Sequence, residues 1–311
     1  MTANDANRRE FLRAVMTGAA GLTLSYPVFG QGRGPAPLTV TKITDRIVVV
    51  AGAGGNIGLV VGPDGVLMID GGTANRAGDI TRTIASVSPL IVQVLFNTHY
   101  HFDHTGSNEY LGTNYRIRII AHENVRTRLS TTFENAAFGM TMQAVGAVGL
   151  PTETFATGGR MVFGAEPLEY THTPLAHTDG DAFLFFPAAN VIHAGDLFWV
   201  GRYPVVDYSV GGSLGRMGAV LDQIDKVGDA GTRIIPGHGT ASVGKPELRQ
   251  ARDMWLTINQ RLEQLAQQGR TVDEMIAAAP TRDFDMALGV ANPAAFLRQA
   301  YGGVLAQRQA R

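Results

Sequence analysis

Apolar residues fall in three short runs over positions 43–50, 57–61 and 66–69. Gly52-Ala53-Gly54-Gly55-Asn56 and Pro63-Asp64-Gly65 separate them. Short β-branched runs broken by turn-forming residues predict an antiparallel meander of three strands. The period then changes. Positions 75–86 carry apolar residues at helical spacing, 91–96 reads as a buried strand, 106–111 can open a helix, and 117–121 is strand again. Helix, strand, loop, helix, strand is the pattern of half an α/β sandwich. Further strands are expected at 161–163, 168–172, 182–186 and 190–193, with another ending at Ile235. Helices are expected over 245–268, with Pro246 in the first turn, over 271–278, which opens on Thr271-Val272-Asp273-Glu274, and over 293–307. Positions 132–160 have weak periodicity and carry Phe133, Phe138, Met140 and Met142. They suit either a loop covering a pocket or a helical hairpin packed on the core.

The run at 91–96 delivers Asn97-Thr98-His99-Tyr100-His101-Phe102-Asp103-His104-Thr105-Gly106, which packs three imidazoles and a carboxylate into six consecutive positions. Buried polar groups without partners are costly, and a bound metal removes that cost. In an extended segment His99, His101 and Asp103 point one way and His104 the other, so two ions can be served from one turn. Three weaker stretches follow: His177 in a turn between strands, Gly195-Asp196 at a strand end, and Pro236-Gly237-His238-Gly239 at another. Asp70, closing the third strand, either starts a turn or orients a ligand from behind. His122 reads as a helix-start or surface histidine, and His172 and His193 as hydrogen-bonded strand positions. The stretch 52–58 departs from a dinucleotide-binding fingerprint in its third glycine and leads into a strand, which excludes that reading.

Composition narrows the chemistry further. In 311 residues there are 26 Lys and Arg against 27 Asp and Glu and no cysteine. Near-neutral charge offers no footprint for nucleic acid. Lack of cysteine excludes disulfides and thiolate ligands or nucleophiles, leaving imidazole and carboxylate donors that suit zinc, with iron or manganese as substitutes. At the N-terminus, Asn7-Arg8-Arg9-Glu10-Phe11-Leu12-Arg13 precedes a mild apolar run at 14–24 that is too short to span a bilayer, which needs about 20 residues. It looks like a twin-arginine export signal, cleaved after Gly30, with a linker at 31–38 and the mature domain at 39–311, C-terminal helices (245–311) included. A periplasmic protein without stable membrane insertion is expected; its oligomeric state stays open.

In this order, His99-x-His101-x-Asp103-His104, His177, Gly195-Asp196 and Pro236-Gly237-His238-Gly239 resemble the metallo-β-lactamase superfamily of binuclear metallohydrolases, over roughly 40–240. The resemblance implies a four-layered αββα sandwich. It implies one metal held by His99, His101 and His177, a second held by Asp103, His104 and His238, and Asp196 bridging both. It also implies two zinc ions sharing a hydroxide that attacks a small-molecule carbonyl (β-lactam, lactone, ester or thioester). Asp103 doubles as the catalytic group that orients the nucleophile or relays a proton. Arg202 and Tyr208, shortly after the bridging Asp, are candidate substrate contacts. Zinc β-lactamases often carry Cys or Ser where Asp196 stands, so Asp196 points to the wider hydrolase branch that includes lactonases and glyoxalase II-like thioesterases. An iron-containing, oxygen-dependent oxidoreductase and a non-catalytic metal-binding module are the alternatives.

Overall fold

The computed structural model of the chain describes residues 36–309. The export-signal stretch at 1–30 and most of the linker lie outside the described residues. The first half forms β1 (Thr39–Lys42), β2 (Ile47–Ala51), β3 (Ile57–Val61), β4 (Val66–Ile69), α1 (Ala77–Val87), β5 (Val92–Phe96), α2 (Phe102–Thr105), α3 (Asn108–Tyr115), β6 (Arg118–His122) and α4 (Glu123–Leu129). Next come the hairpin strands β7 (Phe133–Asn135) and β8 (Met140–Met142), then β9 (Glu153–Phe155). The second half contributes β10 (Gly158–Phe163), β11 (Glu166–His172), β12 (Ala182–Phe186), β13 (Val191–His193), α5 (Leu214–Asp225) and β14 (Arg233–Ile235). It closes with α6 (Lys245–Gln267), α7 (Val272–Ala277), α8 (Arg282–Asp285) and α9 (Ala294–Gln309).

Seven strands make one sheet in the order β1-β2-β3-β4-β5-β6-β9, and five make the other, β10-β11-β12-β13-β14. The expected meander is present, β2, β3 and β4 pairing antiparallel. Side-chain alternation explains the layering. Ile47, Val49, Leu67, Ile69 and Phe96 meet Leu168, Leu184 and Phe186 between the sheets. Their neighbours Val48, Val50, Val66 and Met68 face outward onto Ile80 and Ile84 of α1 and Leu111 of α3. On the other side Phe183, Ile192 and Ile234 pack on Leu221 of α5, Trp255 and Ile258 of α6, and Tyr301 of α9. The result is an αββα sandwich with additional C-terminal helices.

Three expectations need correction. The strand expected at 43–50 starts only at Ile47: residues 43–46 form the turn between β1 and β2, where the Thr44 hydroxyl accepts the Ile47 N–H at 2.9 Å. The segment 132–160 contains no helical hairpin; β7 and β8 pair antiparallel, with Phe133 opposite Met142, and β9 joins the large sheet beside β6. His122 does start a helix, its Nδ1 accepting the Asn124 N–H at 3.2 Å, but it is buried rather than at the surface. It stacks on His172 with ring centroids 3.7 Å apart. Among the described residues no helix is long and apolar enough to cross a membrane.

Candidate metal centre

Four chain segments meet at one edge of the sandwich. β5 runs out at Phe96 and leads through Asn97 and Thr98 to His99 and His101, after which the single turn of α2 carries Asp103 and His104. His177 follows β11, Asp196 follows β13 in a short 3-10 turn, and His238 follows β14. Two glycines allow the close packing at this edge. A Cβ on Gly237 would lie 2.0 Å from Asp196 Oδ1, and one on Gly55 would lie 2.2 Å from the His104 ring. The Gly-rich turn after β2 therefore belongs to the site. Asn56 within it ties the turn to the His238 loop, its Nδ2 donating to the Pro236 carbonyl at 2.9 Å and the Thr240 carbonyl at 3.0 Å.

His99, His101, His177 and Asp196 form one group whose donor atoms lie within 4.8 Å of one another, and Asp103, His104 and His238 form a second. Asp196 spans them. Its Oδ2 is 3.4 Å from His177 Nε2 and 3.3 Å from His238 Nε2, while its Oδ1 is 3.1 Å from His104 Nε2.

The outward ring nitrogens determine which atoms face inward. His101 Nε2 lies 3.2 Å from Asp207 Oδ2, His177 Nδ1 lies 2.8 Å from the Val205 carbonyl, and His104 Nδ1 lies 2.8 Å from Asp70 Oδ2. A neutral imidazole that donates through one nitrogen presents a lone pair on the other. His101 Nδ1 and His177 Nε2 accordingly meet lone pair to lone pair at 2.9 Å, and His104 Nε2 faces His238 Nε2 at 3.3 Å. His99 Nε2 and Asp196 Oδ1 are buried and make no hydrogen bond among the described residues. A cation in each group satisfies every one of these atoms, so the residues present fit a metal cofactor.

Charge is distributed unevenly over the two groups. Burial opposes charging His104 and His238, but Asp196 and Asp103 outweigh it, raising His104 well above the usual imidazole range and His238 to about 9. Burial dominates at His99, which is lowered well below that range, and at His177, which falls to about 4. Burial also opposes ionising Asp196, yet His104 and His238 hold its carboxyl well below the usual carboxylate range.

Both readings of Asp70 hold together. It adopts a left-handed φ of 62° at the end of β4, and it orients His104 while receiving the Thr98 N–H and hydroxyl, each at 2.8 Å. Asp207 and Asp181 had no such role assigned from sequence. Asp207 is fully buried and orients His101; Asp181 shapes the His177 loop by accepting the Thr178 N–H at 2.7 Å and its hydroxyl at 2.6 Å. The Asp-x-Ser pattern at Asp207, whose Oδ1 accepts the Ser209 N–H at 3.1 Å, was the available signal. Of the two candidate substrate contacts, Arg202 is exposed, and Tyr208 packs its ring where a Cβ on Gly303 of α9 would stand, 2.1 Å away. His172 Nδ1 donates to the Asp181 carbonyl at 2.9 Å, and His193 Nδ1 accepts the Gly195 N–H at 3.3 Å.

Comparison with known proteins accords with this geometry. The family model described as the metallo-beta-lactamase superfamily matches residues 50–247. The chain belongs to the metallo-β-lactamase superfamily. Among solved structures of this fold, a metallo-β-lactamase from Pontibacter korlensis superposes with a TM-score of 0.58 at 18% identity, over 70% of this chain and 98% of that one. Metallo-β-lactamase IND-7 superposes with a TM-score of 0.56 at 19% identity, over 70% and 97%. The sec-alkylsulfatase Pisa1 from Pseudomonas sp. gives 0.61 at 17% identity, covering 87% of this chain, which spans 50% of the sulfatase. No curated protein sequence matches the chain.

Proposed function

We propose that this superfamily member is a binuclear, zinc-dependent hydrolase of small carbonyl substrates. The inward-facing ring nitrogens of His101 and His177 in one group and of His104 and His238 in the other, joined by Asp196, carry the reading. His99, His101 and His177 would hold one ion and Asp103, His104 and His238 the other, with Asp196 shared. Imidazole and carboxylate donors without thiolate suit zinc, and iron or manganese fit the same set. Two such ions supply Lewis acidity towards a substrate oxygen and lower the pKa of water from about 15.7 towards 7.

The protein's own part is orientation and proton handling. Asp70, Asp207 and the Val205 carbonyl orient the rings of His104, His101 and His177, which turns one nitrogen of each toward the centre. Asp103 is 18% exposed and its Oδ2 lies 3.2 Å from His238 Nε2, so its carboxylate is the group placed to orient the nucleophile or relay a proton to a leaving group. The other carboxylate of the ligand set, Asp196, is buried between imidazoles and lacks that access.

Metal analysis of the purified protein, combined with a panel of a chromogenic cephalosporin, a homoserine lactone, S-lactoylglutathione and an aryl ester, tests the reading. An alkyl sulfate joins the panel because a sec-alkylsulfatase superposes over 87% of this chain against 70% for the two β-lactamases. Turnover lost with chelator and restored with zinc is the expected result. Full activity without transition metal would end the proposal, and iron content with oxygen uptake would replace it by the oxidoreductase reading. Export to the periplasm belongs to the same proposal and is supported by the paired arginines, Phe11-Leu12 and the apolar run at 14–24.

A further inference from the structure

The centre opens on one side. His99, His101, His104, His177 and Asp196 are at most 3% exposed, whereas the Asp103 side chain is 18% and that of His238 12% exposed. Aromatic rings flank this opening. Trp199 lies over His238 with centroids 4.1 Å apart, and Phe102, beside Asp103, is 38% exposed. Phe138, from the turn between β7 and β8, sets its ring edge-on to His101 at 4.7 Å and to Phe102 at 5.3 Å.

The position of Phe138 is determined from below. Asn135 Oδ1 accepts the N–H groups of Ala137 at 2.8 Å and Phe138 at 3.3 Å, which shapes the hairpin turn. Its Nδ2 donates to Asp207 Oδ2 and to the Tyr100 hydroxyl, both at 2.8 Å. Tyr100 also donates to Asp207. One buried carboxylate oxygen thus receives the metal-site histidine His101, Tyr100 and the hairpin together. From above, Gln299 of α9 donates to the Ala137 carbonyl at 3.5 Å. The opposite face of the hairpin, Phe133 and Met142, is packed inward on Tyr100, Val125 and Leu129. The turn is held on three sides, and Phe138 is left facing the opening.

We propose that Phe138 is a specificity-determining wall for an apolar acyl or aryl group on the substrate, and that Asn135 is the positioning residue that couples this wall to His101 through Asp207. The inference rests on the metal-centre reading and deepens it by naming the substrate class: compounds with an apolar chain or ring next to the group that meets the metals. A wall covering one side of a chain removes part of each methylene from water; full burial gives about 0.8 kcal/mol per CH2. Half of that over the first three or four methylenes makes about a tenfold gain in affinity.

Linear alkyl hydroxamates, which bind divalent metals without being turned over, provide the test on the zinc-loaded full chain. Calorimetric affinities for acetohydroxamate through hexanohydroxamate should rise by about tenfold in the wild type. In Phe138→Ala the ratio of longest to shortest should fall towards one, and in Asn135→Ala to about threefold. A flattened ratio is not the mark of general destabilisation, which weakens every member of the series alike. A wild-type ratio near one overturns the proposal, as does a ratio that survives Phe138→Ala. Because turnover does not enter the measurement, a protein that shows the chain-length gain yet hydrolyses nothing in the panel loses the hydrolase reading and keeps the wall. One that hydrolyses esters without the gain does the reverse.

Discussion

The two halves of the metal centre differ in how they are enclosed. His99, His101, His177 and Asp196 are sealed, and Thr98, Asp207 and the Val205 carbonyl each stand behind one of the imidazoles. In the other group the fully buried Asp70 supports His104, and Asp103 and His238 reach solvent. On the proposed reading, a sealed group would hold its ion in fixed geometry, and an open one would admit substrate and exchange its ion. The division of labour follows from enclosure, since both groups draw on the same short stretch of chain.

The largest break in that comparison is His101→Ala. It removes a donor from the sealed group, and turnover in the substrate panel should drop below detection while circular dichroism keeps its native form. Second in size is support from behind. Asp207→Asn and Asp70→Asn should each weaken metal retention about 10–100-fold, read by competition with a chromogenic chelator. The sealed group should bear the loss in the first variant and the open group in the second, which two-phase chelation kinetics resolve. Equal losses from both phases in both variants would dissolve the distinction. Metal removal itself comes next: zinc at about a hundredfold its dissociation constant adds about 2.7 kcal/mol to stability, so chelation should lower the melting temperature measurably. Smaller again is Gly55→Ala, whose Cβ would press on the His104 ring from the open side. Overpacking of this kind costs about 1–3 kcal/mol in denaturant unfolding, and the slow chelation phase should be untouched.

Much of this was legible along the chain. Val66–Ile69, Ile57–Val61 and Ala182–Phe186 have the bounds that their apolar runs predict, because strand periodicity is a local property. The run from His99 to His104 announced ligands by adjacency alone. α5 was overlooked although Leu214, Met217, Leu221 and Ile224 stand at helical spacing and are buried. The late start of the strand expected at 43–50 rests on the turn that the Thr44 hydroxyl holds, and the hairpin at 133–142 carries too short a pattern to be told from a loop. Tyr208 looked like a substrate contact because it follows Asp196 closely. Its ring goes instead to α9, a helix that lies far along the chain.

By itself the sequence determined the donor types, the exclusion of thiolate chemistry and the alternation that layers two sheets between helices. These depend on residue identity and on spacing within one segment. Tertiary structure decided which nitrogen of each histidine faces inward, that Asp207 holds His101, and that only Asp103 and His238 meet solvent. The reason is physical. A tautomer is set by whatever the other ring nitrogen bonds, and for His101 that partner stands 106 positions away, a separation across which no local pattern carries information.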